Sequence, residues 1–106
     1  MQTIHLKKFG TVLLSRPAGL EAFRAIRPTL NPSQPVAIDF DGVLTATPSW
    51  FDEFLTNLAD YFGGRVEILS TKNASVLAML PVLAKDRHDA AADALRRAMK
   101  VMGVTP

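Results

Sequence analysis

The stretch Val36-Ala37-Ile38-Asp39-Phe40-Asp41-Gly42-Val43-Leu44-Thr45-Ala46-Thr47-Pro48-Ser49-Trp50-Phe51-Asp52-Glu53-Phe54 decides how the chain is read. Its first five residues are apolar apart from one acid, as expected of an inner parallel strand covered on both faces. Asp41-Gly42 then supplies a turn. Trp50, Phe51, Phe54, Leu55, Leu58, Ala59 and Phe62 recur at helical spacing and form one stripe, with Asp52, Glu53 and Asp60 largely on the other side. Gly63-Gly64 ends that helix, because glycine accepts the left-handed conformation of a C-terminal cap.

Working outward, Thr3 to Leu6 alternates weakly and Thr11 to Leu14 is a short apolar run, so both read as strands joined by a turn at Phe9-Gly10. Ser15-Arg16-Pro17 opens a helix carrying Leu20, Phe23, Ile26 and Leu30. Asn31 to Pro35 is a loop by its two prolines and short polar side chains. Arg65 to Leu69 is a further strand. Ala74 to Lys85 is a helix with Pro81 as a kink or break. His88 to Met102 is an alanine-rich helix, acidic near its start, basic near its end and stopped by Gly103. The order is β-β-α-β-α-β-α-α: a small α/β domain spanning 1–106, with a short mixed β-sheet of about four strands covered by helices.

Composition bounds the function. The 106 residues are 48% hydrophobic and 21% charged, enough to bury a core and unlike a disordered chain. There is no cysteine, hence no disulfide framework, thiol nucleophile or thiolate metal site. A reducing compartment, the cytoplasm, is the expected location. No stretch approaches the roughly 20 apolar residues of a membrane span, so no membrane partner is expected. The net charge of +2 is a weak field, but the charge is segregated. No Lys or Arg lies between Arg27 and Arg65, whereas Asp39, Asp41, Asp52, Glu53 and Asp60 all do. The charges of the last helix match its dipole without any partner, and nucleic acid is not the expected ligand. His5 and His88 form no pair at metal-ligand spacing, so no zinc site is expected. Arg16, near a helix start, is a lone residue that could attract an anion.

Two motifs overlap on the same residues. Ala37 to Thr45, a hydrophobic strand followed by Asp-x-Asp-Gly, resembles the first motif of the haloacid-dehalogenase phosphatase superfamily. That resemblance implies a nucleophile at Asp39, a general acid/base at Asp41 and Mg²⁺ shielding a phosphate. Val66 to Thr71 is similar to the second motif, a strand ending in Ser or Thr. Beyond Thr71 the only acids are Asp86, Asp89 and Asp93, all in or beside a helical pattern, with no strand to carry them to a metal. The phosphatase is therefore kept as the alternative. Otherwise Asp39 is a structural acid with local hydrogen bonds, and Asp41 a turn residue.

The second resemblance covers nearly the whole chain. Phe9-Gly10, then Leu14-Ser15-Arg16 with Gly19 shortly after, Ile38-Asp39-Phe40-x-Gly42-Val43, and Pro48-Ser49-Trp50-Phe51-Asp52-Glu53-Phe54 together resemble a bacterial STAS-like domain family of unknown function. That family is similar to STAS domains, the fold of anti-anti-sigma factors. The resemblance implies a non-enzymatic protein-interaction or regulatory module with no cofactor. Its partner would be a protein, an ATP-binding kinase or anti-sigma-type protein, docking at the strand-turn-helix corner of residues 45–52. The candidate contacts are Thr45, Pro48, Ser49, Trp50, Asp52 and Glu53, with the acidic face of the helix offered to a partner that is basic or carries a helix groove.

In STAS regulators this corner holds a phosphoacceptor within Asp-Ser-Ser-Gly, which falls here on Thr47-Pro48-Ser49-Trp50. The usual phosphoacceptor position is Pro48, which cannot be phosphorylated, leaving Ser49 or Thr47 as candidates one residue off register. Either is also a good N-cap: Ser49 with Asp52 three residues on, or Thr47 followed by Pro48 at the first helical position. Trp50 is core or half-buried, unless it faces the surface as an interaction anchor.

Overall fold

The computed structural model describes residues 1–105. Its centre is the quoted stretch. Strand β3 (Val36–Asp39) lies between β1 (Gln2–His5) and β5 (Val66–Ile68), both parallel to it, with Gln2 opposite Val36 and Val36 opposite Val66. Val36, Ala37 and Ile38 are all buried, as a strand covered on both faces requires. A separate two-stranded parallel ribbon joins β2 (Val12–Leu13) to β4 (Thr45–Ala46).

The sheet is thus not the mixed one expected from the sequence, since every strand pair is parallel and the pairs fall into two ladders. The cause lies between β1 and β2. Instead of a hairpin turn at Phe9-Gly10, Leu6–Phe9 winds into a 3₁₀ helix that buries Leu6. Gly10, at φ 127°, then redirects the chain so that β2 pairs with β4 rather than β1. Two residues are too few to show a period, and β4 was not separable from the loop around it.

Four helices cover these strands: α1 (Arg16–Ile26), α2 (Pro48–Tyr61), α3 (Ala74–Ala84) and α4 (Ala90–Met102). The whole α2 stripe, Trp50, Phe51, Phe54, Leu55, Leu58, Ala59 and Phe62, is buried. Phe51 meets Phe40 edge-on at 5.0 Å, and Trp50 stacks on Phe54 at 5.1 Å. Helix α1 stops at Ile26 and a 3₁₀ turn, Arg27–Thr29, follows it. Pro28 has no N–H to continue the α-helical ladder toward Leu30. By contrast α3 runs through Pro81. Helix α4 begins at Ala90, with Asp89 Oδ1 accepting from the Ala92 N–H at 2.9 Å, and ends at Gly103 in the left-handed conformation. No helix among the described residues is long and apolar enough to cross a membrane.

Helices α1 and α2 approach closely at Gly19. Gly19 is buried in α1, and a Cβ placed there would lie 2.2 Å from the Trp50 carbonyl oxygen. Backbone on both sides leaves no flexible atom to yield. Gly19→Ala should therefore push the helices apart and destabilise the fold by about 1–3 kcal/mol, although alanine favours helices. Urea unfolding measures it; a gain in stability would show that α1 and α2 are not in this contact.

Candidate functional site

The C-terminal ends of β1 and β3 bring His5 and Asp39 together. In open α/β sheets this edge is where ligands are usually met. Asp39 accepts the Asp41 N–H on Oδ1 at 2.9 Å, closing a turn, and its Oδ2 lies 3.0 Å from His5 Nδ1. The Val43 N–H donates to Phe40 O at 3.0 Å, and Gly42 sits at φ 84° with the Lys7 side chain where a Cβ would be. Asp39 thus makes one local hydrogen bond and one contact across the strands, and Asp41 is an exposed turn residue. Among the described residues no three His, Asp or Glu side chains come together in a metal-ligating group. Of the later acids, Asp89 caps α4 and pairs with Arg87.

Beyond the turn the chain is clamped from two directions. The Leu44 N–H donates to Thr11 O at 2.8 Å and the Thr47 N–H to Leu13 O at 2.9 Å. On the other side stands the N-terminus of α3. Asn73 Nδ2 donates to Val43 O at 2.7 Å and Leu44 O at 3.1 Å, while its Oδ1 accepts from the Ser75 and Val76 N–H groups. Asn73 therefore caps its own helix and ties down the corner of another. The Ser75 hydroxyl meets Thr45 Oγ1 at 2.9 Å.

Of the two N-cap candidates, the structure uses Thr47. Its Oγ1 accepts from the Trp50 N–H at 3.3 Å and Pro48 occupies the first helical turn. The Ser49 hydroxyl reaches only Thr47 Oγ1, at 3.5 Å, and Ser49 is half-buried. Trp50 is 2% exposed, under Phe9 and against Phe54, so its indole is a core group rather than a surface anchor. The exposed residues here are Pro48 and, one residue before the corner begins, Leu44.

The acidic face of α2 is not free either. Arg16 Nη1 lies 2.8 Å from Asp52 Oδ2 and 3.1 Å from Glu53 Oε2, bridging α1 to α2. Arg87, between α3 and α4, places Nη1 2.6 Å from Asp52 Oδ1 and Nε 2.9 Å from Asp89 Oδ1. Asp52 is partly buried, which alone would raise its pKa, but hydrogen bonds from Arg16 and Arg87 hold it below the usual aspartate range. Asp89 is likewise held low: desolvation opposes this, and the Arg87 guanidinium and the Ala92 N–H outweigh it. On the acidic face of α2, expected to meet a basic partner, Asp52 and Glu53 are each paired with an intramolecular cation and stay partly exposed.

Asn73, Ser75, His5 and Arg87 are the site residues that sequence reading missed. Asn73 stands immediately before the apolar run from Ala74 and could have been read as an N-cap. Nothing local marks Arg87, whose partner Asp52 is 35 residues away.

The family model described as a STAS-like domain of unknown function (DUF4325) matches residues 22–76, more than half of the chain, taking in β3, the corner and the start of α3. No curated protein and no solved structure matches the chain.

The two hydroxyls should separate on mutation. Thr47→Ala removes the cap and should cost about 1 kcal/mol, whereas Ser49→Ala should stay within about 0.5 kcal/mol of wild type in urea unfolding; the reverse order would assign the cap to Ser49. The carboxylates predict the acid side of the stability curve. Asp52 and Asp89 titrate lower folded than unfolded, so the stability they contribute is present above their unfolded pKa of about 4 and is lost as pH falls through the folded values. Asp52→Asn should flatten the pH dependence of unfolding free energy below about pH 4. An unchanged slope would mean that Asp52 is not ion-paired.

Proposed function

The chain belongs to the STAS-like domain family of unknown function, and from that membership we propose that it is a non-enzymatic protein-interaction module. The docking surface is the β2–β4 ribbon and the corner into which it feeds. The observation that carries this reading is the placement of exposed apolar side chains: Leu44 (70% exposed), Val12 (49%) and Leu14 (52%) all stand on or beside that one ribbon. Val12 and Leu14 project to the same side of β2, opposite to buried Leu13. Exposed apolar side chains gathered in one place favour a protein contact over solvent.

The ribbon is braced by Asn73, Ser75 and the α2 cap, so a partner meeting it would lose little ordering entropy. The wider STAS resemblance implies an ATP-binding kinase or anti-sigma-type protein as that partner, and the lack of cysteine favours the cytoplasm as the compartment. With Thr47 engaged as the cap, Ser49 is the candidate for regulatory phosphorylation. A phosphate there would gain from the α2 dipole, and Arg16 and Arg87 offset the opposing charge of Asp52.

Affinity capture followed by reconstitution with the purified captured protein tests this. Leu44→Asp should weaken that binding by tenfold or more, which is about 1.4 kcal/mol, and leave the unfolding curve close to wild type. Undiminished binding would move the surface elsewhere. Turnover of a phosphate ester with Mg²⁺ that disappears in Asp39→Asn would instead establish the phosphatase alternative.

A further inference from the structure

Strand β5 has a partner on one side only. Arg65 O accepts the Val36 N–H at 3.1 Å and the Leu69 N–H donates to Ile38 O at 2.9 Å, so these backbones face β3. Alternation then turns the backbone groups of Val66 and Ile68 away from β3. Arg97 of α4 takes up Val66 O, its Nη2 donating at 2.9 Å. Ile68, the other outward-turned position, is buried beside α4. Along this edge, between β5 and α4, runs a groove of about 540 Å³. Ile68, Ala98 and Val101 contribute its apolar wall, and Val101 is 75% exposed.

The charges around the groove have one dominant sign. Arg65, Arg97 and Lys100 line it together with a single acid, Glu67. Arg65 and Arg97 spend their hydrogen bonds on backbone carbonyls, which leave their charge uncompensated. Among the described residues the ion pairs involve His5, Arg16 and Arg87, and none of these three cations. A second copy of the chain docked through the same edge would set these cations against their own counterparts. Nucleic acid would match the charge but makes no use of an apolar wall.

We propose that this groove takes an extended acidic segment of a partner protein, with apolar side chains toward Val101 and carboxylates toward Arg97 and Lys100. The inference rests on the reading of the chain as an interaction module and gives it a second surface with a partner of defined chemistry.

Fluorescence anisotropy with a labelled synthetic peptide of alternating glutamate and valine tests it on the full chain. Saturable binding is expected, weakened about tenfold or more by the double substitution Arg97→Glu with Lys100→Glu. Val101→Glu, a change at a largely exposed residue that leaves both cations in place, should weaken it as well. Lack of saturable binding, or equal affinity in the charge-reversed protein, would overturn the proposal. So would a single-stranded oligonucleotide binding more tightly than the peptide with the same dependence on Arg97 and Lys100. Leu44→Asp should leave peptide binding intact; loss there would place the peptide on the ribbon instead. Failure at the groove therefore leaves the ribbon reading standing, and failure at the ribbon leaves the groove standing.

Discussion

The backbone contact between Gly19 and Trp50 sets the geometry on which the corner depends. With no side chain at Gly19, α1 lies against the first turn of α2 more closely than any other residue would permit. That closeness brings Arg16, one turn earlier in α1, within reach of both Asp52 and Glu53. It also seals Trp50 beneath Phe9 and against Phe54, so the first turn of α2 is anchored by packing on one face and by guanidinium on another. Arg87 adds a second cation from the opposite end of the chain, and its Nη2 also donates to Thr56 Oγ1.

Parallel pairing explains why so much chemistry collects around the corner. Because β1 and β3 run in one direction, their C-terminal ends deliver His5 and Asp39 to the same edge, in register as partners. The helices that follow β4 and β5 start nearby, and Asn73 links them by capping α3 while holding the Val43 and Leu44 carbonyls. The corner is a junction of two helix starts rather than a free loop. Asp-x-Asp-Gly in this setting builds a turn: Asp39 receives Asp41, and Gly42 supplies the positive φ beneath Lys7.

What could be read beforehand was what repeats along the chain. The α2 stripe, the buried β3 and the capped, dipole-matched α4 each rest on several residues at a fixed period, and the structure reproduces them. What escaped was non-local or too short to have a period. The β2–β4 ladder joins two dipeptides more than thirty residues apart, and a 3₁₀ helix stands where a hairpin turn was expected. The acids of α2 looked like an open charged face because Arg16 and Arg87 are distant in sequence. Trp50 could be assigned to core or surface only once Phe9 was known to cover it.

The central claim is that the corner is a pre-formed platform and not a loop that orders on binding. Amide hydrogen exchange of the unbound protein tests it most directly, because the Leu44, Thr47 and Trp50 N–H groups each have a defined acceptor in Thr11 O, Leu13 O and Thr47 Oγ1. The account predicts that these three amides are protected and exchange together with the core amides of α2. Exchange of all three at the rate of a solvated loop, with α2 still protected, would contradict it.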